Sequence, residues 1–149
     1  MLRIRRLQPK DATALESLRQ AYAVEMGAPT KHSVIFSRRL LQAKGVLVWG
    51  AMMDQVLVGF GIVFELPEAV YGATCANLDD LFVAPQWRGQ GVARAILGAV
   101  AGHGSKATWS HLRWLVPEAD APAIRLYEKI ATQAPWRSYV MRLDPANSA

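Results

Sequence analysis

The chain has 149 residues, of which 52% are apolar and 19% charged, with a mean hydropathy of +0.10. That balance excludes a disordered chain, a collagen-like repeat and a small disulfide scaffold, and it suits one domain with a sizeable core. The net charge is +5 and the pI about 9.7, which taken alone points to an anionic partner: nucleic acid, a membrane surface or a phosphorylated ligand.

Residues 2–7 alternate loosely and read as a first strand. Pro9–Asp11 then opens a helix in which Leu15, Leu18 and Tyr22 recur at helical spacing, ending near Gly27. Ser33 caps a second short helix through about Ala43, with Gly45 past its end. The apolar stretch from Gly45 to Leu66 is interrupted by Asp54-Gln55, so it reads as a hairpin of strands 46–53 and 56–65 rather than a membrane span. A loop with Pro67 and Gly72 leads to a fourth strand at 74–84, stopped by Pro85. Gly89–Gly91 opens a helix to about Gly102, a strand follows at 111–116, a helix at 121–131, and a last strand at 138–143. The order predicts one domain over residues 1–149, α/β or α+β, with hairpins first and β-α-β crossovers after. The basic start lacks the apolar run of an export signal, so a cytoplasmic, membrane-free protein is expected.

The charge is unevenly placed. No Lys or Arg lies between Lys44 and Arg88, whereas Asp54, Glu65, Glu68, Asp79 and Asp80 do, so residues 45–87 carry −5 and the remainder +10. Outside Arg3-x-Arg5-Arg6 and Arg38-Arg39 the basic residues are scattered singly, without the aromatic interleaving of a nucleic-acid surface. His32, His103 and His111 show no metal-ligand spacing, and Cys75, the single cysteine, has no internal partner, so no metal is expected. The five tryptophans read mostly as core residues. Trp136 and Tyr139 are candidates for an acceptor pocket, and Val92, Ile96 and Val100 form a buried helical stripe.

The sharpest local signal runs from Leu81 to Arg94: a strand, a proline stop, Arg88, two glycines, then a helix. Glycine lets a ligand approach the backbone, and the first N–H groups of a helix lack internal acceptors, so this junction suits a phosphate. A dinucleotide fingerprint would need glycine where Arg94 stands, and a P-loop would need Gly-Lys-Ser/Thr.

Gln86-x-x-Gly89-x-Gly91 followed by Val92-Ala93 resembles the acetyl-CoA-binding motif of the GNAT superfamily of N-acetyltransferases. Asp120-Ala-Pro-Ala123-Ile-Arg-Leu126-Tyr127-Glu128-Lys129 is similar to that family's Asn-x-x-Ala-x-x-Leu-Tyr-Glu-Lys segment. The resemblance implies a mixed, mostly antiparallel sheet splayed at its fourth and fifth strands, with helices on both faces. It implies acetyl-CoA as co-substrate, no metal, and a homodimer. Backbone groups of Leu81, Phe82 and Val83 would bond the pantetheine arm, and those of Gly89, Gln90, Gly91, Val92, Ala93 and Arg94 the pyrophosphate. Arg88, Arg94 or Lys129 would meet the 3′-phosphate. Asp120 and Ala123 belong to the second motif and count as cofactor residues, although Asp120, standing where the family commonly has Asn, cannot donate a hydrogen bond when ionised. Tyr127 would be the general acid for the departing thiolate.

An amine acceptor arrives protonated, and freeing a lysine-like amine at pH 7 costs about 4.6 kcal/mol. A carboxylate at the acceptor side addresses both attraction and proton removal. Leu78-Asp79-Asp80-Leu81-Phe82 offers two. Regular strand alternation sends them to opposite faces, Asp79 with Leu81 and Val83, Asp80 with Leu78 and Phe82, so only one is expected at the site. The acidic pair is similar to the spermidine/spermine and thialysine acetyltransferase branch, which implies Asp79 as the catalytic carboxylate. The expected function is acetyl transfer to a small cationic amine, with a protein N-terminus or lysine as alternative acceptor and a non-catalytic acetyl-CoA sensor as the alternative of another class.

Overall fold

The computed structural model describes residues 1–28 and 30–143. It divides into two compact units, Met1–Leu115 and Val116–Ala149. The first holds β1 (Leu2–Arg6), a 3-10 turn at Pro9–Asp11, α1 (Ala12–Glu25), α2 (Val34–Gln42), β2 (Val46–Met53), β3 (Val56–Glu68), β4 (Ala73–Val83), a 3-10 turn at Pro85–Trp87, α3 (Val92–Lys106) and β5 (Leu112–Trp114). The second holds α4 (Ala121–Ile130).

The five strands form one sheet in the order β1-β2-β3-β4-β5, antiparallel except for the parallel pair β4 and β5. The hairpin predicted at Asp54-Gln55 joins β2 to β3, with Asp54 in the left-handed region at φ 55°. β3 alternates between the two faces of the sheet. Phe60 and Ile62 pack with Leu7, Leu15, Val48 and Phe82 beneath α1 and α2. Gly61 faces the other way, where an added Cβ would stand 2.9 Å from Ile96 of α3. Helices therefore cover both faces. Val92, Ile96 and Val100 are the buried stripe of α3 that their spacing predicts.

Two polar devices hold α1 and α2. Ser33 caps α2 by accepting the Phe36 N–H at 3.0 Å. Glu16, fully buried, accepts two hydrogen bonds from Arg19 at 2.9 Å, one from Gln20 at 2.9 Å and one from the Ser37 hydroxyl at 3.0 Å. Burial alone would raise its pKa; these donors outweigh that and hold it at about 2.

The strand predicted at 138–143 is not formed. Trp136, Tyr139, Val140, Met141 and Leu143 are all at least 72% exposed, and the segment carries no ladder bonds among the described residues. Alternation supplies a propensity, but a strand exists only through a partner, and the described sheet ends at the three-residue β5. Trp136 is accordingly not a core residue.

Candidate active site

β4 changes character along its length. Over Ala76–Leu78 it is paired on both sides, with β3 and with β5. Beyond Leu78 the pairing with β5 stops, while β3 continues to Val83. Asp80–Val83 thus pairs on one side only among the described residues, an open edge able to accept an extended ligand by strand addition.

The change coincides with a β-bulge. Ile62 pairs with Asp80 and Val63 with Leu78, so Asp79 is the extra residue. The expectation that the two acids face opposite ways is overturned here. Asp79 continues the face of Asn77, whose side-chain amide donates to it at 3.4 Å. Asp80 starts the next run, on the face of Phe82. Leu78 and Leu81, three apart, both lie near Gly61 on the opposite face. The carboxylates end up side by side.

Both acids line one pocket of about 480 Å³, together with Tyr22, Met26, Phe36, Phe60 and Phe64. The aromatic floor is close-packed: the ring centroid of Tyr22 is 6.0 Å from that of Phe60 and 5.3 Å from that of Phe82. Burial, then the adjacent Asp79 charge, push Asp80 above its ordinary value, while hydrogen bonding from the Tyr22 hydroxyl pulls the other way without prevailing. Burial and the Asp80 charge likewise raise the Tyr22 phenol, which stays a protonated donor. In the sequence Tyr22 shows only as one of the residues at helical spacing in the first helix, and nothing singles out Phe36, Phe60 or Phe64. Helical and strand periods bury all four equally well, and only the sheet topology brings them to the acids.

At the C-terminal end of β4 the glycine loop takes the form its sequence predicts. Gly89 and Gly91 have φ of 74° and 81°, and no heavy atom lies within 4 Å of an added Cβ at either. Gly91 is the N-cap of α3, and no side chain caps the helix. From this cap the helix bond runs from Ala95 N–H to Gly91 O at 3.0 Å, so the N–H groups of Val92, Ala93 and Arg94 precede it at the positive end of the helix dipole. The arrangement fits a diphosphate. Arg88 is otherwise engaged: its Nε donates to Val83 O at 2.8 Å, both terminal nitrogens donate to Glu25 at 2.7 Å, and its guanidinium lies 5.5 Å from the Phe82 ring centroid. It ties the loop to the end of β4 and to α1.

In the second unit, Asp120 caps α4 by accepting the Ala123 N–H at 3.2 Å. This explains an acceptor-only side chain at that position, with Pro122 in the first turn. Tyr127, half-buried, has its phenol pKa raised by burial and by the Asp120 charge.

Among solved structures, the chain superposes on a ribosomal-protein-alanine N-acetyltransferase from Brucella melitensis biovar Abortus 2308 with a TM-score of 0.85 and 33% identity, covering 95% of this chain and 99% of that one. An aminoglycoside acetyltransferase from an uncultured soil metagenomic sample superposes with a TM-score of 0.83 over 96% and 99% of the two chains, at 21% identity, which speaks to fold alone. In sequence, aminoglycoside N(6')-acetyltransferase type 1 of Stenotrophomonas maltophilia is 32% identical over 100 residues, 65% of this chain, and the match spans 63% of that relative's length. None of these three is by name a polyamine or thialysine enzyme. No helix among the described residues is long and apolar enough to cross a membrane. The acetyltransferase (GNAT) family profile matches residues 12–131, a span running from α1 through the bulged, half-open β4 and the glycine-capped α3 to the end of α4, and the chain belongs to that family.

Proposed function

We propose that the protein is an N-acetyltransferase that passes the acetyl group of acetyl-CoA to the primary amine of a small cationic acceptor. The observation that carries this reading is the bulge at Asp79, which sets two carboxylates in one aromatic pocket beside the open edge of β4. Acetyl-CoA supplies an activated acetyl thioester. The backbone of Leu81, Phe82 and Val83 offers the edge along which its pantetheine arm would lie, and an N–H there would polarise the thioester carbonyl. Gly89, Gln90, Gly91, Val92, Ala93 and Arg94 would hold the pyrophosphate through backbone N–H groups. The Arg94 or Lys129 side chain would meet the 3′-phosphate, while Arg88 positions the loop. Asp120, whose side chain also caps α4, and Ala123 are the cofactor residues of the second motif.

The Asp79–Asp80 pair attracts the ammonium and takes its proton, directly or through water. The freed amine attacks the thioester carbon, a C–N bond forms as the C–S bond breaks, and Tyr127 protonates the departing thiolate. Tyr127 carries this role on its place in the family motif. A pair fits the task better than a lone carboxylate, because the Asp79 charge raises the proton affinity of Asp80.

A second reading makes the acceptor a protein N-terminus, favoured by the 33% identity to a ribosomal-protein-alanine acetyltransferase. Thiol release from acetyl-CoA across polyamines, aminoglycosides and short alanine-terminated peptides separates the two. Turnover with the small polycations and not the peptides supports the first reading. Turnover confined to peptides supports the second, and thermal stabilisation by acetyl-CoA without turnover on any amine leaves a sensor.

A further inference from the structure

At the other end of β4 from the glycine loop, three side chains that no sequence spacing links come together. Glu68 closes β3, Cys75 is the third residue of β4, and His111 directly precedes β5. One donor atom from each, a carboxylate oxygen, a thiol sulfur and an imidazole nitrogen, lie within 4.8 Å of one another. The reading of Cys75 as partnerless and of His111 as lacking ligand spacing followed the chain. The parallel pairing of β4 with β5 is what joins them.

The cluster is firmly framed. Ser110 N–H donates to Thr74 O at 2.8 Å and Ala76 N–H to His111 O at 3.1 Å, bracketing Cys75 between two backbone bonds to the His111 segment. The two outer side chains each have an orienting partner. The Val70 N–H donates to Glu68 Oε1 at 3.0 Å, and the Ser110 hydroxyl lies 3.0 Å from His111 Nδ1. Carboxylates and imidazoles that bind metals are commonly fixed by such outer contacts. Cys75 is only 1% exposed, whereas Glu68 is half-buried and His111 exposed, which gives access from the surface.

A thiolate, an imidazole and a carboxylate are the donor types of a tetrahedral zinc ion, at about 2.0–2.3 Å each. Tetrahedral geometry at those lengths sets donors about 3.3–3.8 Å apart, so closure around an ion asks for side-chain shifts on the order of 1 Å. The soft sulfur and the nitrogen select against magnesium and calcium, which take oxygen donors. We propose that Glu68, Cys75 and His111 form a site for a zinc-type divalent transition-metal ion, with water in the fourth position. Binding releases the Cys75 thiol proton to solvent and fastens the end of the β3–β4 hairpin to the entry of β5. The site stands apart from the acceptor pocket, and its existence does not depend on acetyl transfer.

The test uses the full chain, stripped with a chelator and titrated with Zn²⁺ and separately with Co²⁺. The expected result is one metal per chain, an upward shift in melting temperature with Zn²⁺, and a thiolate-to-cobalt charge-transfer absorption. That band is diagnostic because the chain has a single cysteine. Cys75→Ser should abolish the band, and Glu68→Gln and His111→Ala should each weaken Zn²⁺ binding at least as much as the roughly 10- to 100-fold that loss of an outer-shell partner costs. If Cys75→Ser does not fold, the band in the parent protein and the affinity of Glu68→Gln, checked by circular dichroism, still decide. No stoichiometric uptake, uptake without the thiolate band, or equal affinity in Glu68→Gln and His111→Ala would each overturn the site.

Discussion

The two halves of β4 make opposite use of the same conformation. In the first, Cys75 and Ala76 are buried and the backbone is paired on both flanks through Leu78. In the second, the flank towards β5 is open, and Asp79 and Asp80 face a pocket while Phe82 stays in the packed layer. The one-residue bulge at Asp79 sits at the boundary and converts an alternating strand into one with adjacent acids on a single face. Closed pairing lends rigidity to the strand, and the interruption of pairing creates its chemistry.

Substitutions should separate the halves. The largest effect is expected from Asp79→Asn/Asp80→Asn, which removes the proton acceptor and the acceptor-binding charge together. Steady-state kinetics should show kcat/KM for a cationic amine falling by about 10²–10⁴-fold with no loss of melting temperature. A destabilised double variant would merge the halves and break the comparison.

Next comes the other wall of the pocket. Glu16→Ala strands Arg19 and unlinks α1 from α2, and chemical denaturation should register a loss of about 3 kcal/mol. The sign with pH follows from a pKa held near 2 against an ordinary 4.5. The Glu16 contribution is fully present above pH 4.5 and is lost as pH falls towards 2, so the variant should lack that part of the acid dependence. In the closed half, Ala76→Leu overpacks a fully buried site and should cost about 1–3 kcal/mol, leaving kcat/KM of the folded fraction intact.

Gly91→Ala meets no atom but forces alanine to a φ of 81°, a strain of about 1–2 kcal/mol. Its kinetic signature should be a raised KM for acetyl-CoA with little change in acceptor KM. The smallest effect concerns Asp80 alone. Its pKa is raised in the fold, so its stabilising contribution is present below the ordinary carboxylate range and lost as pH rises through the raised value. Asp80→Asn should therefore raise the melting temperature slightly at neutral pH while lowering turnover.

Much of this was legible in the sequence. Ser33 marked a cap, Asp54-Gln55 a hairpin, and Gly89 and Gly91 a helix start, because each is a local rule read by a local residue type. The bulge was not legible. No glycine announces it, and strand alternation, applied strictly, sent Asp79 and Asp80 apart. The pocket aromatics and the Glu68–Cys75–His111 cluster were hidden for the same reason, since long-range pairing assembles them. Residues 138–143 failed in the opposite sense: their local pattern suits a strand, but no partner strand pairs with them among the described residues.

The most direct test of the acceptor assignment is a ratio: kcat/KM for a small polycationic amine divided by that for an alanine-terminated peptide, in the parent protein and in Asp79→Asn/Asp80→Asn. A ratio well above one that collapses in the double variant is the predicted result. A ratio below one, or one that the loss of both carboxylates leaves unchanged, would contradict it.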